Sequence, residues 1–381
     1  YYNRLQTNIP ESDNAVPDIL DEVIYNLRWM LTMQDSIDGG VYHKCTNAAF
    51  DGMVMPGVTK APRYVVQKGT AAALDFAAVC AQAARVLAPF KKQLARLSDS
   101  CLTAATKAWN WAEKNPHVEY NQTEINKKFL PQISTGAYGD NNFNDEWMWA
   151  AAELLVTTRD RKYFAVIEKG AGDKSILPSW ANVGMLATYT LLRHNKSLPA
   201  YVQAVVKTKR AGMVAMADAL VAGIKRSAFG TAMGGAKSDF VWGSSAVAAN
   251  QAILLLNAYL QTGENKYLDG AISNADYLLG RNATGYCFVT GIGSRSPMNP
   301  HHRPSIADTL KEPVPGFLSG GPNPGRQDSC TYEFFEPETA FVDSDCSYAS
   351  NEIAINWNAP AVYLFNALEA LKEKKAVEKS R

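Results

Sequence analysis

The chain has 381 residues, of which 47% are hydrophobic, and its 38 basic and 37 acidic residues leave a formal net charge of +1. This composition is that of a globular protein, and a near-zero charge gives no long-range field that would attract nucleic acid or an anionic membrane. No window approaches eighteen uninterrupted apolar residues, and the first residues lack the pattern of a signal peptide. We therefore expect a neutral partner and no membrane insertion.

Apolar residues recur at helical spacing through most of the chain, and strand-like runs are few and short. Several helices are joined by short turns, such as the one where Gly263 can end one helix before Tyr267 anchors the next. Stacked helical hairpins can form a solenoid or a closed ring, and no fixed solenoid period is present. We predict an all-α fold built as a closed double ring. The predicted helices cover residues 16–35, 69–87, 94–114, 145–158, 180–194, 201–226, 245–260, 266–279 and 352–374.

Three long loops interrupt these helices, at residues 35–68, 115–144 and 281–350. The third holds eight of the 18 prolines, between Pro297 and Pro337. Long irregular segments inside compact domains are usually functional, so we expect the third loop to carry most of the site.

One stretch of the third loop, VTGIGSRSPMNPHHRPS, presents His301, His302 and Arg303 from a backbone that glycines bend and prolines stiffen. These three side chains are suited to donate hydrogen bonds, and neutral imidazoles can do so without attracting anions, although a surface loop without function is the alternative. Zinc binding is a third interpretation, but adjacent histidines seldom aim both rings at one ion and the other three lie far along the chain. We predict no metal site.

A second stretch, FVDSDCSYASNEIAINWNAP, carries Asp343 and Glu352 and joins the third loop to the last predicted helix. Glu352 is expected in the first turn of that helix, with Tyr348 nearby. An acid at a helix start often only caps the helix or complements its dipole, so this role and a catalytic one both stay open here.

The six cysteines, Cys45, Cys80, Cys101, Cys287, Cys330 and Cys346, include no CxxC pair, which argues against a zinc ribbon or redox motif. Their spacing does not distinguish buried thiols from disulfides.

Together these stretches resemble the signatures of family 9 glycoside hydrolases, the inverting cellulases and related β-1,4-glucanases. Further stretches resemble family landmarks in the expected order, so the likeness covers nearly the whole chain: NIPESDNAVPDILDEV, DGGVYHK, NDEWMWAAAELL, VWGSSAVAAN, ADYLLGRNATGYCFVTG and GGPNPGRQD. Cys287 departs from the family's more usual small hydroxyl or valine. The resemblance implies one catalytic domain over residues 1–381, an (α/α)6 barrel with an open cleft across the ends of its inner helices.

The resemblance also assigns roles to residues. Glu352 would be the general acid that protonates the departing oxygen, with a pKa raised by partial desolvation. His301 and Arg303 would bind sugar hydroxyls near the cleaved bond, with His302 beside them. Asp343 would support the acid or orient its neighbours, or serve structure alone.

Aromatic rings stack on the apolar faces of sugars, so some exposed aromatics should form substrate platforms. Trp242, Tyr42 and Tyr348 are the candidates, with His43 adjacent. The tryptophans of the predicted helices at Trp109, Trp147 and Trp149 have spacing more typical of core.

An inverting glycosidase needs a second carboxylate, the base that activates water, about 6.5–9.5 Å from the acid. In the family this base lies in a DAGD-like segment before the NIPES landmark, and no DAGD occurs in the sequence. A fragment lacking the base and the first barrel helix is the favoured explanation, because loss of that helix would expose a large apolar surface. A truncated binder is the alternative. An accessory domain before Tyr1 is also conceivable.

Some family members hold calcium with an acidic pair at the positions of Asp145 and Glu146 and a later aspartate beside a tryptophan. The corresponding stretch here reads Ser179, Trp180, Ala181, so one hard ligand is lost from a cation that prefers six to eight oxygens. We expect Asp145 to cap a helix start and predict that no cofactor is required, with a structural calcium as the less favoured alternative.

The sequence therefore predicts a hydrolase of β-1,4-glucosidic bonds in cellulose, mixed-linkage glucan or xyloglucan. It should be secreted, periplasmic or cell-surface, since such polymers do not enter cells. A non-catalytic glucan-binding barrel and another (α/α)6 enzyme, such as an exo-glucosidase or a lyase, are the alternatives. A lyase would need a basic cleft, for which the neutral charge gives no support.

Overall fold

The computed structural model of the protein describes Ile9 and residues 14–379, with only the helix backbone for residues 373–379. Apart from Ile9, the NIPES landmark lies outside the described residues. The chain divides into two compact units. The amino-terminal unit comprises Tyr2–Phe50 and Ala61–Gly212, and the carboxy-terminal unit comprises Asp51–Lys60 and Met213–Arg381. That the whole chain is one domain stays a prediction.

The described residues are mainly helical, as the apolar spacing predicted. Two short strands, β1 (Cys45–Thr46) and β2 (Tyr64–Val65), pair antiparallel with Cys45 opposite Val65. The helices are α1 (Asp18–Thr32), α2 (Thr70–Leu87), α3 (Leu97–Lys114), α4 (Gln122–Asn126), α5 (Asn144–Thr158), α6 (Phe164–Lys169), α7 (Gly184–Arg193), α8 (Gln203–Gly223), α9 (Ser244–Thr262), α10 (Asn265–Leu278), α11 (Arg303–Ala307), α12 (Tyr348–Asn351) and α13 (Ile355–Lys379).

Helix α2 is the centre of the amino-terminal unit, where it packs against α3 and α5. Its sequence, TAAALDFAAVCAQAARVL, is rich in alanine, which favours helix and lets neighbouring helices approach closely. By length and composition alone residues 70–90 could cross a bilayer. Leu74, Phe76 and Cys80 of this helix are buried. A core helix of a globular unit is also long and apolar, so it meets the same criteria of length and composition.

A buried ion pair links three helices of this unit. The Arg85 guanidinium on α2 lies 2.5 Å from the carboxylate of Glu153 on α5, and Thr190 on α7 donates its hydroxyl to the other carboxylate oxygen. Because Glu153 is almost fully buried, removing Arg85 would leave an uncompensated charge in the core.

In the carboxy-terminal unit α9 packs against α10 and α13. Gly263 ends α9 in the left-handed conformation, with φ of 77°, and its N–H donates to the Tyr259 carbonyl. Tyr267 follows, fully buried, so the predicted stop and anchor between these helices are confirmed.

Two predicted helix starts were wrong. Helix α7 begins at Gly184 rather than Trp180, because Ser179 and Asn182 pair in a tight turn that leaves Trp180 outside the helix. The last helix begins at Ile355 rather than Glu352, whose ψ of 151° is extended. Glu352 is therefore not a helix-capping residue of α13.

Candidate active site

Glu352 lies in a short extended link between α12 and α13, flanked by two other extended segments of the carboxy-terminal unit. On one side His301 pairs with it in parallel, and the His301 N–H donates to the Asn351 carbonyl at 2.9 Å. On the other side the Gly320 N–H donates to the Glu352 carbonyl at 3.1 Å. The backbone of Glu352 is thus held from both sides, and its side chain direction is fixed.

The Glu352 carboxyl is half-buried. Burial raises its pKa above the ordinary value for glutamate, while a hydrogen bond from the Trp242 indole and the charge of Arg303 lower it. Burial is the largest of these effects, so the carboxyl keeps its proton to a higher pH than a solvated glutamate would. This is the property that a general acid needs near neutral pH.

The imidazole of His301 is oriented by the segment that precedes α12. Its Nδ1 lies 2.5 Å from the Asp345 carbonyl, which can only accept, so Nδ1 carries the hydrogen. In the neutral ring Nε2 is then an acceptor. The sequence led us to expect donation from this ring, but the geometry instead equips neutral His301 to accept a hydrogen bond from a hydroxyl.

Two exposed aromatic rings stand beside these groups. Trp242 and Tyr348 are 43% and 37% exposed, with ring centroids 5.7 Å apart and an angle of 35° between planes. The His301 ring meets Tyr348 edge-on at 5.9 Å. Trp242 projects from a turn at Gly243, whose φ is +83° and where an added Cβ would lie 2.5 Å from the Trp357 ring, so only glycine fits. The predicted platform residues Trp242 and Tyr348 are thus brought together.

Asp343 connects the histidine loop to the acid-bearing segment. Its carboxylate accepts the N–H groups of Met298 and Asn299, each at 2.8 Å, and the side-chain amide of Asn351 at 3.1 Å. Asn351 also donates to the Asn299 carbonyl at 2.9 Å. Through these bonds Asp343 positions the loop of His301 relative to Glu352. None of them joins Asp343 directly to the Glu352 side chain.

His302 and Arg303 belong to the same loop but are engaged differently. His302 Nδ1 shares a hydrogen with the Ser305 hydroxyl at 2.8 Å, its ring packs edge-on against Phe317, and burial lowers its pKa. Arg303 donates from Nε to the Asp51 carbonyl at 3.1 Å. His302 thus contributes to the packing of the loop, while Arg303 adds positive charge near Glu352. Sugar binding by either stays a prediction.

Sequence reasoning missed the group beneath Tyr348. Asp328 accepts hydrogen bonds from the hydroxyls of Tyr332 and Ser347 and from the Ala349 N–H, at 2.9–3.0 Å. A disulfide, Cys330–Cys346, joins the two stretches that carry these residues. The only sequence signal was the position of Asp328 in the GGPNPGRQD landmark, and the cysteine spacing gave no pairing.

Tyr42 and His43 lie in the amino-terminal unit. The Tyr42 hydroxyl donates to Asp35 at 3.1 Å, and a hydrogen bond from Lys68 lowers the pKa of Asp35 to about 2. His43 stacks on Tyr120 at 4.3 Å and donates from Nε2 to the Ala137 carbonyl, while burial lowers its pKa. Their predicted role in substrate binding stays a prediction.

Asp145 and Glu146, the acidic pair that resembles a calcium site, lie at the start of α5, and their predicted failure to bind calcium stays a prediction. Asp145 accepts the N–H of Val183, the residue before α7, at 2.8 Å, which ties the start of α5 to that segment. Burial, with the charges of Asp75 and Asp145, raises the pKa of Glu146. Within residues 14–379, no three His, Cys, Asp or Glu side chains converge as a metal site.

A half-buried acid beside exposed aromatic faces and an imidazole acceptor can protonate an oxygen of a neutral, hydroxyl-rich ligand, as carbohydrate hydrolases do. Comparison with known proteins agrees. The family model described as Glycosyl hydrolase family 9 matches residues 3–365, and the chain belongs to that family.

Known relatives extend this result. The xyloglucan-specific endo-β-1,4-glucanase BoGH9A of Bacteroides ovatus is 46% identical over 372 residues, which are 97% of this chain and 63% of that protein. Endoglucanase D of Acetivibrio thermocellus is 34% identical over 93% of this chain and 53% of its own length. The chain thus spans between about half and two thirds of these relatives.

Solved structures define the fold class. A Bacteroides ovatus family 9 structure superposes with a TM-score of 0.92 at 45% identity, covering 97% of this chain and 66% of that one. AaCel9A in complex with cellobiose-like isofagomine gives 0.84 at 34% identity, covering 94% and 66%. The all-α, (α/α)6-barrel class predicted from the sequence is confirmed.

Proposed function

We propose that the protein hydrolyses β-1,4-glucosidic bonds in a β-glucan with inversion at the anomeric carbon, and that Glu352 is the general acid. The observation that carries this proposal is the half-buried Glu352 carboxyl, with its raised pKa, held between paired backbone segments beside His301, Trp242 and Tyr348. Membership in family 9 supports the reaction class.

In the proposed reaction Glu352 gives its proton to the glycosidic oxygen as the bond from that oxygen to the anomeric carbon breaks. Water attacks the opposite face of the sugar and loses its proton to a second carboxylate. We propose that a DAGD-like segment, which the family resemblance assigns to the base and which residues 1–381 do not contain, supplies that carboxylate. His301 Nε2 accepts a sugar hydroxyl, and Trp242 and Tyr348 offer apolar faces to the pyranose rings. Two carboxyl groups and water suffice for this chemistry, so we propose that no cofactor takes part.

Xyloglucan is the substrate that we propose first, on the strength of 46% identity to a xyloglucan-specific endo-glucanase. Cellulose and mixed-linkage glucan are ranked second. Endoglucanase D, whose name does not specify xyloglucan, is only 34% identical to this chain. Polymers of this size do not cross a cell membrane, so we also propose that the protein acts outside the cytoplasm.

The test uses the natural protein as its gene encodes it. Xyloglucan, carboxymethylcellulose and mixed-linkage glucan are each incubated with it, product lengths are measured by mass, and the first-formed anomer is identified by proton NMR. Release of oligosaccharides in the α-configuration from xyloglucan supports the proposal. Binding of all three polymers with no new reducing ends would show a glucan-binding protein instead.

A further inference from the structure

A cavity of about 600 Å³ lies within the amino-terminal unit, between the second half of α3, the start of α5, and α6. It contains none of the residues assigned to catalysis. Its volume falls in the range of small-ligand pockets, about 300–1,000 Å³. The aromatic, charged and amide side chains that line it are Trp109, Glu113, Asn144, Trp147, Lys169 and Asp173.

The aromatic wall of this cavity is rigid. The rings of Trp109 and Trp147 meet edge to face, with centroids 4.8 Å apart and planes at 90°. Trp109 is only 2% exposed and is held on another side by Tyr163 at 5.0 Å. Trp147 is half-buried, and its contact with the core residue Trp109 fixes its ring. Because the ring is already ordered, a ligand that stacks on it would lose little binding free energy to side-chain entropy.

The indole N–H of Trp109 is buried and has no hydrogen-bond partner in the part of the chain that the structure describes. A buried donor without a partner is costly, and such donors are usually satisfied by an oxygen of a water or a ligand. Trp109 lines the cavity, so this donor without a partner belongs to the wall of the site.

The rim combines acceptors and donors. Glu113 and Asp173 are exposed carboxylates, Lys169 is an exposed ammonium group, and Asn144 offers an amide. Opposite charges side by side give little net field to select an ion, but they provide hydrogen bonds in both directions. An aromatic wall with such a rim matches a pyranose ring, which has an apolar face and hydroxyls around its edge.

We infer that this cavity is a glucan-binding site of the amino-terminal unit, which holds one or two sugar residues of the polymer and uses none of the residues assigned to catalysis. The identity of the sugar rests on the function proposed above. The ring of Trp147 is the stacking surface, and the rim side chains bond the hydroxyls.

The test is calorimetric titration of the natural protein with cellotetraose, in a Glu352→Gln background that prevents turnover. We expect about two equivalents bound, falling to about one in Trp147→Ala, or the second affinity weakened by roughly tenfold. Trp29→Ala is the matched control, because Trp29 lies in the same unit on α1, is 51% exposed and does not line the cavity. It should bind as the parent does.

A second variant distinguishes loss of the binding site from misfolding of the protein. Lys169→Ala combined with Asp173→Ala alters only exposed rim side chains, and it should also weaken the second equivalent while the thermal midpoint stays that of the parent. A parent that binds about one equivalent, or a rim variant that keeps the second one unchanged, would overturn the inference. If the natural protein with Glu352 present hydrolyses xyloglucan, either result would leave the proposed function standing, whereas absence of hydrolysis by that protein would count against the function itself.

Discussion

The indole of Trp242 acts on the carboxyl group of Glu352 as a hydrogen-bond donor that lowers its pKa. This bond favours the ionised acid, whereas burial favours the protonated one, and burial is the larger effect. The pH range in which the acid works is therefore set by two opposing contributions, one of which a single substitution removes.

Replacing Trp242 by phenylalanine keeps an aromatic ring and removes the hydrogen bond. The pKa of Glu352 should then rise, and since the general acid must be protonated, the alkaline limb of the kcat profile should move to higher pH. The measurement is kcat on xyloglucan between pH 4 and 9, with Trp29→Phe as the control. An alkaline limb that stays in place or moves to lower pH would contradict the assignment of this limb to Glu352.

Replacing Glu352 by glutamine removes the proton donor and preserves the shape of the side chain. We expect kcat on the polymer to fall at least ~10²-fold while binding of cello-oligosaccharides is nearly retained. Glu312→Gln is the matched control, because Glu312 is exposed in the same long loop. Equal losses of binding and turnover would indicate that Glu352 is structural.

Asp343 accepts two backbone N–H groups of the histidine loop and the amide of Asn351, so Asp343→Asn should loosen the loop. Hydrogen bonds to a charged group are worth about 1.5–3 kcal/mol each, and misplaced catalytic groups lower kcat steeply, so we expect a 10- to 100-fold fall in kcat. KM should change less than kcat. Asp345→Asn is the control, since its exposed side chain is altered while its carbonyl bond to His301 is kept. A loss confined to thermal stability would limit Asp343 to a structural role.

The helices were predictable because their signals are local. Helix α2 was expected from residue 69 and begins at Thr70, and α9 was expected from residue 245 and begins at Ser244. The signals for these helices are the spacing of apolar and alanine residues and, for α9, the glycine at its end. All of them lie within or next to the helix itself, so a single sequence is enough to predict the helix.

The conformation of Glu352 was not predictable by the same means. Its neighbours would continue a helix, but Gly320 and His301 bind this segment from more than 30 and 50 residues away, and these contacts hold it extended. The role of Asp328 was hidden for the same reason, because Ser347 and Ala349 come to it through the fold. Catalytic residue types could be named from the motif, whereas their hydrogen-bond partners required the structure.

The disulfide Cys330–Cys346 joins residues 16 apart and links the stretch next to Asp328 to the stretch next to Tyr348. A cross-link of this loop length stabilises by about 3 kcal/mol, mainly by restricting the unfolded chain. Replacing both cysteines by alanine should therefore lower the thermal midpoint, and dithiothreitol should lower it in the parent but not in the variant. Cys45→Ala is the control, because Cys45 is a free thiol. A parent midpoint that ignores the reductant would show that the bridge contributes nothing.

Glu146 links the stability of the amino-terminal unit to pH. Burial and the nearby carboxylates of Asp75 and Asp145 raise the pKa of Glu146 in the folded protein above its value in the unfolded chain. The folded state therefore binds this proton more tightly, and its contribution to stability is complete below the unfolded pKa and is lost as pH rises towards the folded pKa.

Glu146→Gln removes the titration and keeps the size of the side chain. The free energy of unfolding should be close to that of the parent near pH 4 and should exceed it at pH 8 by on the order of 1–3 kcal/mol. Urea unfolding at several pH values between 4 and 8 measures the difference, with Glu168→Gln, an exposed glutamate on α6, as the control. If the parent and Glu146→Gln curves run parallel across this range, Glu146 carries the same charge in both states and the buried carboxyl is ionised after all.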